Sequence, residues 1–433
     1  MTRPAKRARL SESADEISMS NSPAKEDKHS LFTTWAKERG VEIHNVAPQQ
    51  LPGRGLGLMT TAPIKSGSRM IFIPEKAMFK PDTATIKRST LDRASPQAKL
   101  AISALAKFSA PASDLRTWEA TWPTKQDFAA SMPLLWPPEL LEHLPPAVLP
   151  PFERQKADYA RDWEAVSPVC EQRGWDEVVF RYYWCIVNSR SFHWKPSAGR
   201  AGSMVLCPFV DYMNHGPTGS GCYVAQNGKG YEVTAERDYD AGEEVLATYG
   251  AHSNDKLLVH YGFICASPMQ HASPDDEIRL DHAVIPHLSE ETKSQLQDVG
   301  FLGGYALLPS EYPCDRTDSA KKANGCAAKC RQPWDICFKT QVAVRAVLLT
   351  ANEWEYFVSN GEDLSGDKSA AVRKWLQPHL QSLRTEAIEK QGQLEKLGEA
   401  IKEEHALAAS MLRERWSQIS VHLGHYIDSD PQT

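Results

Sequence analysis

The sequence has no long uninterrupted hydrophobic run and no excess of basic charge. Its richest late apolar run, VAVRAVLLT, is interrupted by Arg345, and the first residues lack the apolar stretch of a secretory signal. We therefore expect neither a membrane span nor secretion. The 49 lysines and arginines are outnumbered by 55 aspartates and glutamates, giving a net charge of −6. This balance argues against a general nucleic-acid binder.

Closely spaced cysteine pairs are also missing. The nine cysteines include no C-x2-C knuckle, the spacing that structural zinc sites commonly use. The one cluster considered as a zinc site lies late in the sequence and is loosely spaced; it consists of Cys314, Cys326, Cys330 and Cys337. We favour ordinary thiols in a reducing compartment over zinc ligands there, and we predict no metal site.

What is present is enough apolar material for a folded chain of two or three domains, with 41% hydrophobic residues among 433. A polar start contains the basic cluster PAKRARL, which is either a solvated tail or a nuclear import signal. Further on, LFTTWAKERG predicts a short helix, and residues 151–192 predict two helices broken near Pro168 and Gly174. The charged stretch from Leu383 to Trp416 predicts a helix packed on its own domain.

Two stretches carry glycine or arginine in contexts that suit a ligand. GRGLGL, from Gly53 to Leu58, precedes a strand and lacks a following Lys-Ser or Lys-Thr, so it is not a P-loop. It is either a turn or a place where the backbone approaches a ligand closely. NSRSF contains Arg190, which is either a buried salt-bridge partner or a ligand clamp.

Two further stretches combine polar residues with aromatic ones. DYMNHG places Asn214 and His215 at the end of an apolar run. One histidine and one aspartate make a poor metal site, and no nucleophile elbow lies nearby for a catalytic base to serve. The plainest interpretation is that these side chains satisfy buried backbone groups at a turn. YDAGEEVLATYGAHSNDKLLVHYGFI has aromatic residues beside turn glycines, a pattern typical of a core.

In their order and combination, these four stretches resemble the SET-domain methyltransferases. The similarity is greatest to the branch with the Rubisco large-subunit lysine methyltransferase and ribosomal-protein lysine methyltransferases, and it runs from Leu31 to Phe263. It implies an α+β protein: a SET β-clip fold with a knot-like C-terminal part, a helical insertion and a mostly α-helical C-terminal substrate-binding domain. The implied divisions are a disordered tail (1–30), the N-terminal part of SET (31–85), the insertion (86–203), the C-terminal part of SET (204–268) and the helical domain (269–433).

The resemblance also implies S-adenosyl-L-methionine as cofactor and Tyr249 as the catalytic tyrosine. The implied cofactor-binding residues are Arg54, Gly55, Leu56, Gly57, Arg190, Asp211, Asn214, His215, Tyr249 and Tyr261. The implied substrate channel consists of Phe209, Tyr212, Tyr261 and Phe263. The chemistry suits these residue types, because alignment dominates an in-line methyl transfer and an aromatic tunnel beside a sulfonium lowers the pKa of an attacking lysine from about 10.4.

We therefore expect an S-adenosylmethionine-dependent protein-lysine N-methyltransferase. No C-x-C-x4-C zinc motif follows HYGFICASP, which favours a non-histone substrate such as a ribosomal protein or translation factor. We expect a monomer in the cytoplasm, the nucleus or both, with a protein substrate docked on the C-terminal helices and no nucleic-acid or membrane partner. The alternatives are a protein-histidine N-methyltransferase and a catalytically silent SET scaffold.

Overall fold

A computed structural model describes most of the chain: residues 27–52, 54–82, 91–195, 202–265, 273–309 and 334–428. The PAKRARL cluster, Gly53 and three of the late cysteines (Cys314, Cys326 and Cys330) lie outside the described residues. The predictions that concern them therefore stay predictions. Among the helices of the described ranges, none is both long and apolar enough to cross a membrane.

Short strands make up the sheet part of the fold. They are β1 (Glu42–Ile43), β2 (Val46–Leu51), β3 (Gly55–Thr60), β4 (Arg69–Pro74), β5 (Ser191–Trp194), β6 (Ser203–Leu206), β7 (Asn214–His215), β8 (Cys222–Gln226), β9 (Gly230–Ala235), β10 (Leu246–Ala247), β11 (Ile278–Arg279), β12 (Ala306–Pro309) and β13 (Trp334–Ile336). An antiparallel sheet has the order β1-β4-β9-β8, and β2-β3 and β5-β6 form antiparallel pairs. β7 and β10 pair in parallel, and β11-β12-β13 form a separate antiparallel sheet.

The helices lie mainly in two blocks, one between β4 and β5 and one after β10. They are α1 (Lys28–Glu38), α2 (Pro96–Phe108), α3 (Arg116–Glu119), α4 (Lys125–Ser131), α5 (Pro138–Leu141), α6 (Leu149–Arg173), α7 (Glu177–Arg190), α8 (Asn254–Tyr261), α9 (Asp281–Val284), α10 (Glu290–Asp298), α11 (Phe338–Leu348), α12 (Ala351–Asn360), α13 (Ser369–Ala400) and α14 (Ala406–Asp428). α1 agrees with the helix predicted from LFTTWAKERG.

The helix α6 corrects one sequence prediction. It continues through Pro168 and ends only at Gly174, which takes the left-handed conformation at the C-cap. Proline removes the backbone donor that would bond the carbonyl of Glu164 four residues earlier. The hydroxyl of Ser167 donates to that same carbonyl at 3.3 Å, so the helix continues.

The C-terminal region corrects one more and is mostly helical, as predicted. The stretch predicted as one helix contains parts of two antiparallel helices and the break between them. The first helix, α13, ends at Ala400, and the second, α14, begins at Ala406. Gln391 of α13 donates to the hydroxyl of Ser420 of α14 at 3.1 Å, within the hairpin. The region that reads as mostly helical also contains the β11-β12-β13 sheet, whose strands are two to four residues long.

Two hydrophobic cores organise the molecule. The first is built from the β1–β10 region and the helices inserted into it, around side chains such as Phe32, Trp118 and Val233. The second is built from the C-terminal helices and sheet, around side chains such as Trp416. Leu258 of α8 belongs to the second core, although α8 directly follows β10 of the first region. α8 therefore lies at the junction of the two cores.

Candidate active site

The two-residue strands β7 and β10 bring three distant segments together. Asn214 pairs with Leu246 and His215 with Ala247, in parallel. On the other side, the backbone N–H of Val245 donates to the carbonyl of Leu58 in β3 at 2.8 Å. We call this meeting of β3, β7 and residues 244–249 the crossing. The Asn-His pair at the end of the apolar run is thus a short strand that pairs with a later strand.

Gly57 allows the crossing to be this tight. A Cβ atom at this position would lie 2.5 Å from Cδ1 of Leu51, 2.8 Å from Nδ2 of Asn214 and 2.9 Å from Oε1 of Glu244. Real Cβ atoms do not approach other atoms so closely, so a side chain here would force Leu51, Asn214 and Glu244 to shift. Gly55, in contrast, has φ of +71° and nothing within 4 Å of its would-be Cβ. It serves the turn, whereas Gly57 serves the close approach.

A carboxylate orients the Asn214 side chain. Glu244, whose side chain is 12% exposed, accepts a hydrogen bond from Nδ2 of Asn214 at 2.9 Å. The other oxygen of Glu244 lies 2.6 Å from the half-exposed guanidinium of Arg54. Because the amide nitrogen faces Glu244, the orientation of the carboxamide is fixed. Sequence reasoning assigned no role to Glu244, although its position in the GEEV stretch was a usable signal.

The Tyr249 side chain and backbone are both tied to β7 and the residue before it. The backbone N–H of Tyr249 donates to Nδ1 of His215 at 3.2 Å, and the phenol donates to the carbonyl of Met213 at 2.6 Å. Burial raises the pKa of Tyr249 to about 12, so the phenol stays protonated at neutral pH. Burial lowers the pKa of His215, which keeps the ring neutral.

The neutral His215 ring has a defined proton position. Because Nδ1 accepts from Tyr249, the proton lies on Nε2. That Nε2 is buried and has no hydrogen-bond partner among the described residues. An unpaired buried donor costs free energy, so it is a natural contact point for a ligand.

An aromatic cluster surrounds the Tyr249 ring. The ring centroid of Tyr249 lies 5.1 Å from that of Tyr261, 5.2 Å from that of His215 and 6.3 Å from that of Phe263. Tyr261 and Phe263 are themselves 6.2 Å apart. We call Tyr261 and Phe263 the aromatic wall. Rings at these distances can enclose an alkyl-ammonium chain by packing and by cation–π attraction.

Arg190, at the end of α7, reaches the same region through Asp211. Its Nη1 donates to the backbone carbonyl of Asp211 at 2.8 Å and lies 3.9 Å from the carboxylate. Trp118 donates to that carboxylate at 3.2 Å, and burial raises the pKa of Asp211 against the opposing effect of Arg190. Nε of Arg190 is buried without a partner in the described part of the chain. Arg190 therefore combines an anchored end with an unused donor.

Phe209 and Tyr212 lie elsewhere. Phe209 is fully buried in the first core, with φ of +75°. Tyr212 packs edge-on against Phe209 and Phe32, and its hydroxyl lies 2.9 Å from Nδ1 of His29. The structure thus brings Tyr249, Tyr261 and Phe263 together but leaves these two residues in the core. Their assignment to a substrate channel stays a prediction that these contacts do not support.

Comparison with known proteins decides what this arrangement is. Residues 55–250 match the SET domain family. The chain contains a SET domain. The solved SET domain of LSMT, bound to methyllysine and AdoHcy, is 16% identical and superposes with a TM-score of 0.55, covering 94% of this chain and 93% of that one. At this identity the likeness shows the fold alone, and the fold predicted from sequence is confirmed.

Curated relatives of the SET domain fall into several named groups. SET domain-containing protein 4 of Mus musculus is 27% identical over 58% of this chain and 59% of its own. A ribosomal lysine N-methyltransferase of Schizosaccharomyces pombe is 28% identical over 37% and 40%. An actin-histidine N-methyltransferase of Danio rerio is 27% identical over 57% and 44%. The chain spans about half the length of these relatives.

The crossing, Arg190 and the two wall residues all lie in or directly after the SET domain. Of the predicted cofactor-binding residues, Gly55, Leu56 and Gly57 lie in β3 and Asn214 and His215 in β7. Arg54 and Asn214 both contact Glu244, which was not predicted. Asp211 acts on Arg190 rather than facing outward. Across the described ranges, no group of three or more histidine, cysteine, aspartate or glutamate side chains is arranged to hold a metal ion.

Proposed function

We propose that this protein is an S-adenosylmethionine-dependent protein-lysine N-methyltransferase that acts on a non-histone protein. The observation that carries the proposal is the crossing, where Tyr249 is tied to both Met213 and His215 beside the aromatic wall. A ribosomal protein or translation factor docked on the C-terminal domain is the proposed acceptor. We also propose a monomer in the cytoplasm, the nucleus or both, without nucleic-acid or membrane partners.

The residues present fit S-adenosylmethionine. Nε of Arg190 and Nε2 of His215 are buried donors without partners among the described residues, and Gly57 leaves no room for a side chain beside Asn214. Arg190 would pair with the cofactor carboxylate, as a planar guanidinium does well. Asn214, His215 and the backbone near Gly57 would hold the remaining polar groups. When bound, the cofactor would supply a methyl group to the acceptor nitrogen, and the electron pair of the broken carbon–sulfur bond would stay on sulfur.

The side chains of the site position and desolvate the acceptor. A lysine acceptor must be neutral to attack, and its proton leaves to water before transfer. Loss of water beside the aromatic wall and the positive charge of a bound cofactor both disfavour an ammonium, and together they would lower the acceptor pKa. Tyr249, with a pKa of about 12, stays a hydrogen-bond donor and acceptor and is no base at neutral pH. Its role is therefore to orient the amine, and alignment of this kind dominates an in-line displacement.

The test combines cofactor binding with product analysis. Calorimetric titration of the full chain with S-adenosylmethionine should show binding that Asn214→Ala abolishes and Tyr249→Phe retains. Methyl transfer from labelled cofactor to a cell extract should be lost in Tyr249→Phe. Tyr223→Phe is the matched control, because Tyr223 is 61% exposed on β8 and should keep full activity.

Two outcomes would redirect the proposal. Acid hydrolysis of the product should give methyllysine, and methylhistidine instead would make the protein a histidine methyltransferase. That second candidate is favoured by one observation: the actin-histidine relative matches 57% of the chain, more than the 37% matched by the ribosomal lysine relative. Failure of the folded wild type to bind the cofactor would favour a silent scaffold.

A further inference from the structure

A buried arginine joins the C-terminal hairpin to the first turn of α8. Arg415 of α14 is fully buried. Its Nε and Nη2 donate to the two carboxylate oxygens of Asp255 at 2.7 and 3.0 Å, and its Nη1 donates to Asp276 at 2.7 Å. Asp255 lies in the first turn of α8. The bidentate geometry fixes both the distance and the orientation between α14 and α8.

A second contact from α14 reaches the chain just beyond the aromatic wall. Gln418 donates to the backbone carbonyl of Cys265 at 3.0 Å and accepts from Nδ2 of Asn254 at 2.9 Å. Asn254 in turn accepts from the backbone N–H of Cys265 at 2.8 Å. Gln418 and Asn254 therefore hold Cys265 through both of its backbone groups, and Gln418 also lies 3.3 Å from Arg415.

The aromatic wall lies between these fixed points. Tyr261 ends α8, and Gly262 turns the chain with φ of +74° so that Phe263 follows directly. A Cβ at Gly262 would lie 2.9 Å from Oγ of Ser131, so this turn is packed closely against α4. With α8 held at its start and Cys265 held at its backbone, little freedom remains for the two rings that contact Tyr249.

We propose that Gln418 and Arg415 are positioning residues for the reaction, acting on the aromatic wall from the C-terminal domain. The expected effect on catalysis rests on the proposed function, whereas the expected effect on the position of the aromatic wall does not. Neither side chain contacts Tyr249, so each acts through α8 and Cys265. A displacement of the wall by about 1 Å is enough to lower a rate by orders of magnitude in an alignment-dependent reaction.

The same helix offers a matched control. Trp416 is fully buried and donates from its indole to the carbonyl of His143 at 2.8 Å, in the segment between α5 and α6. Trp416→Phe removes a buried hydrogen bond and some packing without touching Asn254 or Cys265. It should lower thermal stability much as Gln418→Met does, while leaving the wall in place.

The experiment measures the surroundings of the Tyr249 and Tyr261 rings by fluorine NMR. The full chain is labelled with 3-fluorotyrosine, and the fluorine resonances of Tyr249 and Tyr261 are assigned from their loss in Tyr249→Phe and Tyr261→Phe. We expect Gln418→Met to shift or broaden both resonances and to lower the initial rate of methyl transfer to an extract about tenfold. The calorimetric Kd for S-adenosylmethionine should not change. Trp416→Phe should leave the resonances and the initial rate at wild-type values.

Two results would overturn the inference. One is unchanged Tyr249 and Tyr261 resonances in Gln418→Met. The other is an equal change in Trp416→Phe at a similar loss of thermal stability, because the effect would then be general loosening. If the wild type transfers no methyl group, the proposed function fails, yet the resonances still decide whether α14 positions the wall.

Discussion

The site formed by the crossing and Arg190 keeps two buried donors, Nε of Arg190 and Nε2 of His215, without partners among the described residues. On α14, by contrast, Arg415 makes five hydrogen bonds, which use all of its N–H groups. Unpaired buried donors are costly, whereas a saturated network holds its shape. The difference separates a region with donors left free for the proposed cofactor from a region whose hydrogen bonds are all made within the protein.

The largest effect on stability is expected where the saturated network is broken. Arg415→Met leaves the carboxylates of Asp255 and Asp276 buried and unpaired, which should lower the free energy of unfolding by about 3–5 kcal/mol. Urea unfolding at pH 7 measures it. Adding Asp255→Asn and Asp276→Asn to the same chain should recover a large part of the loss. No recovery would mean that the charges are not what the arginine compensates.

A smaller loss of stability, with a specific loss of binding, is expected at the crossing. Gly57→Ala places a methyl group within 3 Å of Leu51, Asn214 and Glu244. Overpacking of this kind costs about 1–3 kcal/mol. Because the Asn214 and Glu244 side chains must shift to admit the methyl group, calorimetry should find strongly weakened binding of S-adenosylmethionine by the folded variant. Binding at wild-type affinity would show that the close approach is not needed for the cofactor.

Acid should weaken the second core through His422. Its pKa is lowered to about 4, mainly by burial, with Arg415 and His425 acting in the same direction and Asp276 opposing them. The unfolded chain therefore takes up the proton first, and stability falls as the pH drops from about 6.5 towards 4. At pH 5.5 the loss should be about 1 kcal/mol, since one pKa unit corresponds to ~1.4 kcal/mol.

The measurement compares urea unfolding at pH 7.5 and pH 5.5 for the wild type and His422→Gln. The glutamine variant does not titrate at this position, so its loss on acidification should be smaller by about 1 kcal/mol. Equal losses in the two proteins would contradict the assignment of this acid sensitivity to His422.

The smallest expected effect is an increase in the free energy of unfolding, opposite in sign to the change expected at Gly57. Gly392 lies within α13, and no heavy atom lies within 4 Å of a Cβ built on it. Gly392→Ala should raise the free energy of unfolding by about 0.5–1 kcal/mol, because alanine favours the helix. Thermal denaturation measures the gain, and S-adenosylmethionine binding should be unchanged. A loss of stability would indicate a contact of Gly392 outside its own helix.

The knot-like arrangement could be predicted only because four short stretches, taken in order, resemble SET-domain methyltransferases. GRGLGL, NSRSF, DYMNH and the block ending in HYGFI each contain groups that the structure brings together. The positions of Phe209 and Tyr212 could not be predicted from PFVDYMNH alone, since Phe209 has a positive φ, a 3-10 helix follows at Val210–Tyr212, and both rings are buried in the core. Such a local backbone conformation leaves no trace in apolar spacing.

The C-terminal region was harder to predict. The strands β11 to β13 are too short to show alternation, and the break after α13 contains neither glycine nor proline. Arg415 lies among charged residues that suggest a solvated face. Its helical spacing from Leu412 and Ile419, both buried, is a signal that it shares their face.

The span of the Arg415–Asp255 contact has a consequence for synthesis of the chain. The two residues are 160 positions apart, and Gln418 is 164 positions from Asn254. When residues up to Phe263 have emerged from the ribosome, the nascent chain already carries Arg190, Asn214 and Tyr249, but α14 has not yet been synthesised. Contacts over such distances in sequence form late. If α14 positions the aromatic wall as proposed, the wall is fixed only after the C-terminal hairpin has emerged from the ribosome.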